Sequence, residues 1–90
     1  MSLAYSVKTA DGAVKAGPGI LYSFTLTGGS DAATLTIYDS LAGSGTQMWA
    51  RFSVAANETV TAHVPGGIAF GVGCFAVLTG TDEEASFAYI

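Results

Sequence analysis

The sequence predicts an all-β fold: a small antiparallel β-sandwich or jelly-roll-like barrel of about seven to nine short strands. Three observations carry that reading. No window long enough for a helix shows the i, i+3, i+4, i+7 apolar stripe, whereas period-two alternation recurs along the chain. Clusters of Gly, Ser, Asn and Asp punctuate it at intervals of roughly 8 to 12 residues. Its length of 90 residues fits one domain, in which residues 1–18 form a leading hairpin or an N-terminal arm.

The elements follow in order. "LAYSVK" and "AVKAG" are two weak strands around "TADG". In "ILYSFTLT" the even positions Ile20, Tyr22, Phe24 and Leu26 are apolar, and Ser23, Thr25 and Thr27 take the other face. "GGSD" supplies turn residues and "ATLTIYD" resumes the alternation, so the pair is expected as a hairpin. After the loop "LAGSG", "TQMWARFSV" alternates Met48, Ala50, Phe52 and Val54 with a polar set that includes Trp49.

"AANE" turns into "TVTAHV", with Val60, Ala62 and Val64 facing inward, and "PGG" is expected to break the chain there. "IAFGV", "CFAVLTG" and "ASFAYI" are the last short strands, Phe87 and Tyr89 sharing a face. A Greek-key route suits the pattern, but strand order is not written in it.

Half of the residues are hydrophobic and only 11% are charged, against roughly 25% in a typical soluble domain. Such a chain folds, because disorder goes with low hydrophobicity and high charge. Alone it has too little polar surface to cover itself comfortably. Lys8, Lys15 and Arg51 face seven acidic residues, giving a net charge of −4. Without clustered cations, nucleic-acid binding is disfavoured.

Cys74 is the single cysteine and leaves no internal disulfide to staple a small core. The start, "MSLAYSVKTADG", lacks the pattern of a secretory signal, so synthesis in the cytoplasm is expected. Residues 59–81 carry no Asp, Glu, Lys or Arg, but Pro65 and five glycines interrupt them. The most apolar part, "IAFGVGCFAVL", is about half the ~20 residues a membrane helix needs.

Chemistry-bearing residues are sparse. One His and one Cys cannot build an imidazole or thiolate metal site, and His63 reads as a surface residue, Cys74 as a buried thiol. There is no Gly-x-Ser-x-Gly elbow. Asp31 and Asp39 bracket one strand, which separates them by about 25 Å. The acidic run Asp82, Glu83 and Glu84 is compatible with a hard cation or with a solvated turn, and the turn is the simpler reading. No phosphate-cradling glycine pattern occurs, no cofactor is expected, and the chain reads as a non-enzyme.

What remains is apolar surface. Leu3, Tyr5, Tyr38, Met48, Trp49 and Ile90 are the candidates for burial against a partner, because Tyr, Trp and Met concentrate in interface cores. For Trp49 an internal position in a tightly wound barrel stays equally open.

The pattern "GILYSFTLTGGSDAATLTIYDSLAGSGT" followed by "VAANETVTAHVPGGIAFGVGCFAVLTGTDEEASFAYI" is similar to a group of short all-β proteins of tailed-phage virions. The similarity covers nearly everything from Gly19 and lies in the Gly-rich hairpin, the "YDS" strand end, the "SGT" loop, the "PGGIAF" turn and the closing aromatic strand. It implies a virion structural role: first a head decoration (cement) protein, second a tail or head-to-tail component. With it come a self-associating chain, a trimer by preference, and the major capsid protein as partner. Neither a nucleic-acid nor a membrane partner is expected. A carbohydrate-binding β-module, using Trp49 and Tyr38 as stacking platforms, is the alternative from a different class.

Overall fold

A computed structural model describes residues 3–90 of the chain. Among these described residues nine strands form two antiparallel sheets: β1 (Ala4–Lys8), β2 (Gly12–Ala16), β3 (Gly19–Thr27), β4 (Ala33–Asp39), β5 (Thr46–Gln47), β6 (Phe52–Val54), β7 (Thr59–Phe70), β8 (Gly73–Thr79) and β9 (Glu84–Tyr89). The first sheet runs β1-β9-β3-β7; the second runs β2-β8-β4, with β5 and β6 both pairing along β4. The expected all-β sandwich is the fold observed.

Only the connections β4 to β5 and β5 to β6 stay within a sheet; every other one crosses to the opposite layer. With β5 and β6 counted as one interrupted strand, the two sheets read 1-8-3-6 and 2-7-4-5. That is the winding of a jelly roll, two interleaved Greek keys.

This winding corrects the expected hairpins. "ILYSFTLT" and "ATLTIYD" are strands, but β3 and β4 lie in different sheets and face each other through the core. The turn between them cannot fold back as a tight hairpin because neighbouring turns hold it. Gly28 N–H donates to Glu58 O at 2.9 Å, and Gly29 O accepts from Asn57 N–H at 2.9 Å. Any side chain at Gly29 would run into the Thr81 and Asp82 backbone. The leading pair behaves likewise: β1 joins β9 and β2 joins β8, so residues 4–16 are neither a hairpin nor a free arm.

Both long strands carry irregularities that alternation alone conceals. In β3 the register slips between Leu21 and Ser23, and the phase changes there. Leu21, Phe24 and Leu26 are buried, while Ile20 and Tyr22 are only half-buried. Opposite, "PGG" does not end a strand. β7 continues through it, pairing His63 with Ser23 and then Ile68 with Leu21, so that residues 64–67 stand against Tyr22 alone. Gly66 and Gly67 permit this with φ of 81° and 79°, a region that costs a residue with a Cβ about 1 to 2 kcal/mol.

The core lies between the layers and is built from Leu21, Phe24, Leu26, Leu35, Ile37 and Phe87 with smaller neighbours. Outward faces are rich in hydroxyls, and cross-strand threonines pair: Thr25 with Thr61 at 3.2 Å, Thr27 with Thr59 at 2.9 Å, and Thr34 with Thr79. The Thr-rich face of β3 thus bonds within its own sheet.

Candidate functional site

The six interface candidates fall into two groups at opposite lateral sides of the sandwich. Leu3, Tyr5 and Ile90 belong to the side of β1. The register pairs Ala4 with Tyr89 and Tyr5 with Ala88, so Leu3 comes beside Ile90. Ile90 is itself tied to Ile20 by two backbone bonds of 2.9 and 3.1 Å.

Among the described residues β1 is an edge strand, paired on one side only. Its inner face carries Ala4, Ser6 and Lys8, in register with core-facing Tyr89, Phe87 and Ala85. The outer face therefore displays Tyr5 and Val7, exposed by 78% and 63%. Together with Leu3, also exposed, they make an apolar row along a free sheet edge. Val7 escapes a reading of the sequence, since alternation in "LAYSVK" marks one apolar face and only the topology turns that face to solvent.

Tyr38, Met48 and Trp49 lie on the other side. "TQMWARFSV" is not one strand: it pairs with β4 through β5 and β6 and leaves the ladder between them. Met48 N–H donates to Ile37 O at 2.8 Å, and the side chain packs against the core. Trp49 is 37% exposed, and its ring meets Phe24 edge to face at 5.5 Å, while Phe52 does the same at 5.1 Å. The Trp49 ring thus closes the flank of the core beside β7, where Phe24 has only Ala62 as its cross-strand neighbour. Tyr38 is half-buried on the outer face of β4, across from Phe75.

The polar residues do structural work at loop positions. Asp39 Oδ1 accepts N–H bonds from Val72 at 2.8 Å and Gly73 at 3.3 Å, and Oδ2 accepts from Gly71 at 3.1 Å. Those bonds, Gly71 and Val72 foremost, hold its carboxyl below the usual carboxylate value. Asp31 accepts from Thr81 Oγ1 at 2.9 Å, and Asp11 from Leu78 N–H at 2.8 Å. Asp31 and Asp39 thus serve turns at opposite ends of β4.

Cys74 is fully buried; burial, with the Asp39 carboxylate nearby, pushes its thiol up to about 12. His63 is exposed opposite Ser23. In the acidic run, Asp82 adopts a φ of 56°, Glu83 is buried and Glu84 opens β9 opposite Thr27. Among the described residues no three His, Cys, Asp or Glu side chains converge on a point. The surface with the clearest capacity to do something is therefore the β1 edge, which offers backbone hydrogen bonds and an apolar row together.

Comparison with protein-family models, with curated proteins and with solved structures finds no match.

Proposed function

We propose that this chain is a non-enzymatic structural protein of a tailed-phage virion: a capsid decoration (cement) protein that is made in the host cytoplasm and binds the outer shell as a homo-oligomer. The observation that carries the reading is the exposed apolar row Leu3, Tyr5 and Val7 on the free edge β1. Such a row costs a lone monomer hydration and invites aggregation, and it becomes useful when a partner covers it. Apolar area contributes roughly 25 cal/mol per Å² on burial, so each contact is small. Repetition over a lattice multiplies it, as multivalent attachment requires.

Jelly-roll winding is common to viral capsid domains and to lectins, an analogy at the level of fold that supports the proposal without carrying it. The carbohydrate-binding alternative relies on Trp49 as an open stacking platform. Here that ring is engaged with Phe24, which favours the assembly reading.

The test uses heads of the phage that encodes the chain, prepared with and without it. The protein is expected to sediment with the shells, to appear on their outer surface by electron microscopy, and to raise the temperature at which they rupture. Confinement to the tail or neck, or absence from the particle at saturating concentration, would contradict it.

A further inference from the structure

The sandwich has four lateral edges, and three carry a recognised guard against strand pairing. β7 is interrupted by Pro65 and the bulge at Gly66 and Gly67. β2 has a register shift between Ala13 and Lys15, and Lys15 itself on the strand. The fourth strand of the second sheet is split into β5 and β6, of two and three residues.

β1 has no break, bulge or register shift, and its only charged residue, Lys8, is the last of the strand. It pairs with β9 without a register shift over five consecutive residues, contains no Pro or Gly, and presents Tyr5 and Val7 outward. Its one charge, Lys8, is on the inner face, where the amine stands over Gly12. A protein that breaks, shifts or splits three edges and leaves the fourth straight, with an apolar outer face and its one charge at the strand end, keeps that edge for pairing.

The sequence of β1 indicates what pairs there. In "AYSVK", an antiparallel pairing of two copies centred on Ser6 sets Tyr5 of each across from Val7 of the other, and Ala4 across from Lys8. Aromatic opposite β-branched is a favourable cross-strand pair, and it occurs twice. The charges agree: neither Lys8 faces another Lys8, as a parallel alignment would force. We propose that β1 is a self-pairing edge, through which two copies join their four-stranded sheets into one continuous sheet about a two-fold axis at Ser6.

This inference takes only self-association from the reading above and is independent of the capsid. A two-fold contact links copies pairwise, so in a lattice it would tie neighbouring clusters together rather than close a trimer. A five-residue edge buries less than the ~1,200 Å² of a standard stable interface, so the pairing is weak and dissociates on dilution.

The experiment is register-specific cross-linking of the isolated full chain in a Cys74→Ala background. Equal amounts of Tyr5→Cys and Val7→Cys chains are mixed under mild oxidation and compared with either variant alone. The mixture is expected to give covalent dimers. Each variant alone is expected to give several-fold less, because like positions sit diagonally and exceed the ~7 Å Cα separation that a disulfide bridges. Val7→Lys, at an exposed position whose folding circular dichroism verifies, is expected to move dimer dissociation to at least about tenfold higher concentration by removing both pairs.

Equal cross-linking in all three samples, or a chain monomeric at millimolar concentration, would overturn the proposal. Shell binding without the Tyr5 to Val7 cross-link would remove this pairing and leave the capsid reading standing. The cross-link without shell binding would do the reverse.

Discussion

Asp39 shows how much of the fold rests on single polar residues in loops. Its carboxylate gathers the N–H groups of Gly71 and Val72 in the turn between β7 and β8 and of Gly73 at the start of β8, and thereby ties that turn to the end of β4. Because its folded pKa lies below the unfolded value, the linked stability is complete above the unfolded carboxylate value, about 3.9. It is lost as pH falls through the lowered folded pKa. Urea unfolding between pH 6 and 2 is expected to show this acid-side loss in the native chain and a smaller one in Asp39→Asn, which is also less stable at neutral pH; parallel curves would remove the role. Cys74 is expected to react with an aromatic disulfide reagent only as the chain unfolds, since it is fully buried and its thiol is held protonated; rapid modification of folded protein would contradict that. For Phe24 and Trp49, edge-to-face packing implies a coupling of about 0.5 to 1.5 kcal/mol in a double-mutant cycle, with Phe24→Ala alone costing about 3 to 5 kcal/mol. The sequence placed Trp49 with the polar set, and the break in the ladder at residues 48–51, which no alternation signals, turns its ring onto the core.

At the level of the element, β7 is the most informative strand. Both Gly66 and Gly67 hold positive φ, but a Cβ on Gly66 meets open space, whereas one on Gly67 would strike Ile20 and approach Tyr22. Gly66→Ala is therefore expected to cost about 1 to 2 kcal/mol from backbone conformation alone, and Gly67→Ala clearly more, measured by thermal or urea unfolding; the reverse order would contradict the bulge geometry. Strands were legible because alternation between a core and a hydroxyl-rich face is a local property of sequence. Their pairing was not legible. Turn-forming residues such as "GGSD" read the same whether the chain folds back beside a strand or crosses to the other sheet, and the choice is made by distant contacts such as Gly28 N–H with Glu58 O. The bulge at Tyr22 moves Leu21 into the core for the same reason: its cause lies in the partner strand β7.

For the whole molecule, the winding order decides which faces are internal and so which apolar residues remain to be explained. Phe87 and Tyr89 lie on the core side of β9 and need nothing further, whereas Tyr5 and Val7 are on the solvent side of the strand next to it. Leu3, Tyr5 and Ile90 were recognisable as candidates from composition, but Val7 and the uninterrupted character of the edge emerge only once β1 is known to end its sheet. Under the proposed assembly role the low charge of the chain has a physical use, since contacts made by repeated weak burial then carry a small desolvation cost. The most direct test of an assembly role is the mass of the purified chain by sedimentation equilibrium from about ten micromolar to about one millimolar, the range over which a contact of this size associates. A self-associating chain gives a mass that rises with concentration above that of one chain. A mass equal to one chain throughout would contradict that role.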